Sequence, residues 1–247
     1  MAWVQGPAAF TLVRFIFLFA VFLAACATKI IVAPVSIPIL TPAPASPVPG
    51  SYLALGDSYT IGEGVAEADR WPVQLARLAQ QSGSALLAPE IIACTGWTTA
   101  ELQDAIQSAH NQKTYDLVSP LIGVNNQYRD QDPAIYRAEF RLLLTTAVRF
   151  AGARPGRVVV LSIPDWGQSP FAQGRDQAQI GREIDQFNAV AQDECRQAGI
   201  AFVDITPLTR AAAGDCTQFT VDGLHYTGTQ MRLWAQQALP VVQGLLK

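Results

Sequence analysis

Ser58 stands in Gly56-Asp57-Ser58-Tyr59, directly after the short apolar run Tyr52-Leu-Ala-Leu55. A serine hydroxyl is a poor nucleophile until a base takes its proton, and histidine is the side chain suited to that task near neutral pH. The chain has 2 His. His110 is followed by Asn111, Gln112 and Lys113 at the end of an apparent surface helix, whereas His225 closes Asp222-Gly223-Leu224-His225. A turn of that length brings a carboxylate back to the imidazole Nδ1, setting the tautomer and leaving Nε2 to face a serine. Acyl transfer also needs donors for the developing oxyanion. Gly96, in Thr95-Gly96-Trp97, permits close backbone approach, and Asn125, in Gly123-Val124-Asn125-Asn126, carries an amide that can donate. These residue types specify nucleophilic chemistry at a carbonyl, with no metal or organic cofactor. Taken singly, Gly56-Asp57 and Asp222-Gly223 are also ordinary turns, and Asp57 is expected to accept backbone N–H bonds whatever Ser58 does.

The elements that must position these residues alternate. Buried strands are expected at Tyr52–Leu55, Leu86–Ala93, Tyr115–Ile122, Arg157–Ser162 and Ile200–Asp204. Pro120 demotes part of the third, because proline cannot donate to a ladder. Helical spacing appears over Trp71–Ala79, from Pro133 to Phe150, from about Asp176 to Ala198, and from Thr227 to Leu246. Thr98-Thr-Ala-Glu101 has the form of a capping box and opens a helix to about His110. Strands separated by helices imply an α/β fold with parallel pairing, right-handed crossovers and helices on both faces. Ligands of such sheets sit outside the carboxyl ends of the strands. Ser58, Gly96 and Asn125 each follow a strand, and Asp222 and His225 follow the last strand after a loop.

Four blocks in this order resemble the SGNH hydrolase family, also called GDSL esterases, over roughly Ser51 to Lys247. The resemblance implies a three-layer α/β/α sandwich, flavodoxin-like, with a central parallel sheet of about five strands. It implies a Ser58–His225–Asp222 triad and an oxyanion hole of the Ser58 and Gly96 backbone N–H groups with the Asn125 side chain. It also implies an ester substrate, whether a small molecule, an acylated sugar or a lipid. Hydrolysis of short acyl or acetyl esters is the expected reaction. Transfer of the acyl group to a sugar or lipid acceptor uses the same residues, and a tethered binding module with a silent triad is the reading from another class. In one respect the chain departs from the family: Asn126 stands where the third block commonly has Asp, which puts the rigidity of that loop in question.

The 247 residues are 50% hydrophobic and 15% charged, which excludes a disordered polar chain. A formal charge of −3 without a basic stripe leaves no footprint for nucleic acid. With 4 Cys the chain is too sparse for a disulfide scaffold. Arg14 precedes the apolar run Phe15–Ala25, which is too short for the roughly 20 residues of a spanning helix but suits a secretory signal. Leu23-Ala24-Ala25-Cys26 resembles a bacterial lipoprotein box, with cleavage before Cys26 and lipidation of it; an ordinary signal site with an incidental Cys is the alternative. Residues 1–25 are thus expected to be a signal peptide and 26–50 a Pro-rich tether, leaving 51–247 as an exported domain anchored by lipid at the cell envelope. Trp97 and Trp166, each near a strand end, are candidates for the substrate pocket or for core packing. Cys94 is expected to be a packed thiol, and Cys195 and Cys216 either pair or stay free. Oligomeric state is not legible.

Overall fold

The computed structural model describes residues 49–247. The signal segment, Cys26 and nearly all of the Pro-rich tether lie outside the described residues. The elements run β1 Tyr52–Gly56, α1 Ser58–Ile61, α2 Trp71–Gln81, β2 Glu90–Ala93, α3 Thr99–Ser108, β3 Leu117–Leu121 and α4 Val124–Tyr128. They continue with α5 Pro133–Phe150, β4 Val159–Leu161, α6 Gln177–Ala198, β5 Ala201–Val203, α7 Thr206–Arg210 and α8 Gly228–Leu245. The short helical turns α1, α4 and α7 carry no periodic signal, so the sequence pattern does not announce them.

Pairing is parallel throughout, in the order β2-β1-β3 and β4-β5, with a Val118↔Val158 bridge joining the two parts. The full order β2-β1-β3-β4-β5 is the flavodoxin-like one, whose switch point lies between β1 and β3. Pro120 explains the weak seam. The Leu117 N–H donates to Ser51 O at 3.1 Å, on the β1 side, so Val118 and Pro120 face β4. Val118 makes its rung there, and the next rung fails because Pro120 has no N–H. Proline therefore does not shorten β3, which keeps five consecutive buried residues including Pro120; it interrupts the ladder to β4.

β1 is buried along its whole length, as a strand covered on both faces must be. On one side α2 packs along α8; on the other, α3 packs on α5 and α5 on α6. β2, an edge strand, is shorter than the apolar run suggests: Leu86 makes only an isolated bridge to Gly50, and the strand proper starts at Glu90. The same bridge draws Gly50 into the folded part, one residue before the expected boundary.

Helix starts follow their caps. Thr98 Oγ1 accepts from Glu101 N at 3.3 Å while Glu101 Oε2 accepts from Thr98 N at 2.7 Å, which completes the capping box of α3. Trp71 and Trp234 are fully buried between α2 and α8. At the end of β1, a Cβ on Gly56 would run into Thr60 Oγ1 and the carbonyl oxygen of Leu121. A Gly56→Ala variant is expected to lose about 1–3 kcal/mol or more through this overpacking. Urea unfolding checks it, and an unchanged midpoint would contradict the close approach of β1, α1 and β3.

Candidate active site

Ser58 is the first residue of α1, immediately past the end of β1. Asp57 caps that turn: its carbonyl accepts from Thr60 N at 3.0 Å and Ile61 N at 2.9 Å, and its Oδ1 accepts from Tyr59 N at 3.0 Å. The N–H of Ser58, at the helix start, has no partner within the helix and is free to donate outward. Asp57 is fully buried, and its Oδ2 has no hydrogen-bond partner among the described residues. Burial pushes its carboxyl from 3.8 up to about 7, against the opposing pull of the Tyr59 N–H.

His225 sits in a tight reversal between Phe219 and Tyr226, which form an antiparallel bridge. Thr220 N donates to His225 O at 2.7 Å and Gly223 N to Thr220 O at 2.9 Å. Gly223 supplies the left-handed φ of +67° that folds Asp222 back. Asp222 Oδ1 then accepts from Leu224 N at 2.8 Å, His225 N at 3.0 Å and Thr220 Oγ1 at 2.8 Å, leaving Oδ2 at 2.6 Å from His225 Nδ1. Burial raises the Asp222 pKa, but the hydrogen bonds from the His225 ring, the Leu224 and His225 N–H groups and Thr220 outweigh it. The carboxylate is held well below its usual range and stays ionised beside the imidazole. His225 is 7% exposed and packs against Tyr59, with ring centroids 5.3 Å apart and the planes tilted by 57°.

The segment after β2 is fixed from the far side. Gly96 adopts φ +84°, a conformation open to glycine. Its carbonyl accepts from Arg129 Nη2 at 2.5 Å, while Arg129 Nη1 pairs with Glu101 at 3.1 Å. The next carbonyl, of Trp97, accepts from Asn125 Nδ2 at 2.9 Å. That bond uses one hydrogen of the Asn125 amide and leaves the other for a ligand.

Ser58, Gly96, Asn125 and His225 all line one cavity of about 190 Å³, walled further by Val124, Tyr128, Trp166, Phe171 and Leu224. Asp222 stands behind His225. A larger cavity of about 660 Å³, bordered by Gly50, Asp116 and Arg157, lies at the opposite end of the strands and, among the described residues, has neither His nor Cys in its lining. His110 is exposed and remote from Ser58 in the fold, on the turn after α3. Trp166 faces the cavity, held by its Nε1 donating to Gln127 Oε1 at 2.8 Å. Trp97 does not line it: past the Gly96 turn its half-buried ring packs against the core, and its contribution is the carbonyl that receives Asn125. Cys94 departs from the packed thiol expected: it is exposed, because β2 is an edge strand. Of the two alternatives open to Cys195 and Cys216, they are free thiols, one buried on α6 and the other exposed. Arg129, Tyr128 and Phe171 were not singled out by the sequence; their only signal is proximity to Asn125 and Trp166.

A family model described as GDSL-like lipase/acylhydrolase matches residues 54–233. The chain belongs to the GDSL-like lipase/acylhydrolase family. Solved structures agree in fold. TesA is 18% identical with a TM-score of 0.62, covering 79% of this chain and 99% of that one. The psychrotrophic esterase EstA from Pseudoalteromonas sp. is 13% identical with a TM-score of 0.60, covering 78% and 97%. A mutant of Axe2, an acetyl-xylooligosaccharide esterase from Geobacillus Stearmophilus, is 19% identical with a TM-score of 0.58, covering 78% and 94%. No curated protein matches the chain.

Within this family member, Asn126 does not loosen the third loop. It is fully buried; Oδ1 accepts from Thr99 N at 3.1 Å, and Nδ2 donates to Thr99 Oγ1 at 2.7 Å, to Gln131 Oε1 and to Glu139 Oε2 at 3.3 Å. Glu139, from α5, brings a carboxylate to the cluster and also accepts from Gln131 Nε2 at 3.1 Å and from Thr99. Asn126→Asp therefore places a second carboxylate against Glu139. It is expected to cost about 1–3 kcal/mol at neutral pH. Stability equal to wild type in urea would contradict the shared cluster.

Asp57 gives an independent pH signature. A carboxyl whose folded pKa is raised from 3.8 to about 7 adds stability that is complete below about pH 4 and fades as pH rises toward 7. In Asp57→Asn, Oδ1 still accepts from Tyr59 N, so the loss of stability between pH 4 and 7 is expected to flatten. Unfolding curves across that range check it; an unchanged slope contradicts the burial argument.

Proposed function

We propose that this protein is a serine carboxylic-ester hydrolase acting on short acyl or acetyl esters. The observation that carries the reading is the opening of Ser58, Gly96, Asn125 and His225 onto one cavity, with the 2.6 Å Asp222–His225 contact behind it. Ser58 Oγ attacks the ester carbonyl carbon while His225 Nε2 takes its proton. Asp222 holds the imidazole by Nδ1 and stabilises the imidazolium. The negative charge on the carbonyl oxygen is met by the Ser58 and Gly96 N–H groups and the remaining Asn125 N–H. The carbonyl–alkoxide bond then breaks, His225 gives its proton to the leaving oxygen, and the alcohol departs. Water attacks the acyl-serine by the same route in reverse roles, releasing the acid and restoring the Ser58 hydroxyl.

A cavity of about 190 Å³ is small beside the roughly 300–1,000 Å³ of drug-sized ligand pockets, which supports a short acyl group. The run Phe15–Ala25 followed by Cys26 supports export and a lipid anchor, so the substrates are esters met at the cell envelope.

Hydrolysis of p-nitrophenyl esters from acetyl to dodecanoyl tests the proposal. Turnover is expected to fall with chain length and to drop by about three orders of magnitude or more in Ser58→Ala and His225→Ala. Full activity in either variant overturns the mechanism. Transfer of the acyl group to an added alcohol in preference to water overturns the hydrolytic outcome while keeping the site. Arg129 acts one step removed, through the Gly96 carbonyl. Arg129→Ala is expected to lower kcat by about tenfold with KM nearly unchanged, a fraction of the roughly 100- to 1000-fold that losing an oxyanion donor costs. A rise in KM alone would contradict that positioning role.

A further inference from the structure

One wall of the cavity is aromatic, and a cation that is not itself part of the lining rests against it. The Arg175 guanidinium lies 5.5 Å from the ring centroid of Tyr128, 5.2 Å from Trp166 and 5.0 Å from Phe171. These rings all line the cavity that holds Ser58. The platform is fixed at its base, since Trp166 donates to Gln127, which in turn donates to Glu183 Oε2 at 2.7 Å. It is open at its top: Tyr128 is 44% and Phe171 39% exposed. Arg175 itself is held in a tight turn, its N–H donating to Ala172 O at 3.0 Å and its carbonyl accepting from Gln177 N at 3.0 Å.

Contact with aromatic rings takes up none of a guanidinium's N–H donors, which stay available for hydrogen bonds. The only side-chain hydrogen bond of Arg175 among the described residues is a long one, 3.4 Å, to Tyr128 OH. No carboxylate pairs with it there. Asp176 caps α6 through Gln179 N, and Glu183 is bonded by Gln127 and Gln179. Glu63, beside the Gly96 loop, accepts from Thr95 and is not part of the cavity lining. An arginine poised this way presents a bidentate receptor for an oxyanion.

We infer that Arg175 is a specificity-determining residue, and that the preferred substrate is an ester bearing a carboxylate or phosphate on the part that lies along Tyr128, Trp166 and Phe171. The inference rests on the hydrolytic reading of Ser58. Neutral esters still reach Ser58, but an anionic group adds charge-assisted hydrogen bonds to Arg175 that a neutral isostere lacks.

The experiment compares matched esters on the full-length protein. Mono-p-nitrophenyl glutarate against p-nitrophenyl pentanoate places the carboxylate on the acyl side; 4-acetoxybenzoate against phenyl acetate places it on the alcohol side. In one of the two pairs kcat/KM is expected to favour the anion by about tenfold or more, falling as salt is raised. In Arg175→Gln that ratio is expected to fall to about one, and in Arg175→Lys to recover in part. A general structural role for Arg175 would move both members of a pair together and leave the ratio intact. Competition by glutarate or by inorganic phosphate, lost in Arg175→Gln, identifies which oxyanion the site takes. Ratios near one in both pairs for the wild type, or a ratio that survives Arg175→Gln, overturn the inference alone. No Ser58-dependent turnover of any of the four esters overturns the hydrolytic reading and this inference with it.

Discussion

The site depends on two tyrosines beneath it. Tyr59 follows Ser58 and Tyr226 follows His225, and their rings pack 5.9 Å apart. Trp234 of α8 closes the group, 6.1 Å from Tyr59 and 5.2 Å from Tyr226. Ser58 and His225 are separated by most of the folded chain, and no hydrogen bond between their backbones registers one to the other. Burying adjacent aromatic residues does so, because close packing gives each ring few places to sit. Tyr226 is fixed once more by its hydroxyl, which donates to Asp165 O at 3.1 Å. Asp165 is buried in an ion pair with Arg210 of α7 and accepts from Gly167 N at 3.0 Å, so the same carboxylate steadies the segment that presents Trp166. Ser58, His225 and the aromatic wall thus share one buried foundation.

The other half of the site is assembled by a different device. Gly96 and Asn125 follow β2 and β3, the two neighbours of β1, so the parallel order alone sets all three strand ends side by side. What the sheet does not determine is where individual donors aim. Two polar groups from the β3 side do that, Arg129 on the Gly96 carbonyl and Asn125 on the Trp97 carbonyl. Underneath, Asn126 and Glu139 tie the start of α3 to α5. The interruption at Pro120 falls on the β4 side of β3 and leaves the β1–β3 ladder, on which Ser58 and Asn125 depend, fully paired.

Much of this arrangement is legible in the sequence. Ser58, Gly96 and Asn125 could be placed because each stands just after an apolar run, and His225 because Asp222 lies a short turn away. The capping box of α3 is a purely local signal, legible in Thr98-Thr-Ala-Glu101 alone. What the pattern misplaces or leaves open has a common physical source in strand order and side-chain direction, which no local pattern carries. Cys94 is exposed because β2 is at the edge; of the two places open to Trp97, the Gly96 turn decides for the core. Arg129 and Arg175 went unnoticed because long side chains act at a distance from their own position. The Asn126 substitution looked like a loss because its compensating carboxylate, Glu139, belongs to the next helix.

Covalent capture tests, without knowledge of the natural substrate, the proposal that Ser58 is a nucleophile served by His225. The protein is treated with an organophosphonate ester probe and the modified peptide located by mass spectrometry. A single adduct on Ser58, formed rapidly in the wild type and far more slowly in His225→Ala, is the predicted result. An adduct on another residue, or no adduct in protein shown to be folded, would contradict it.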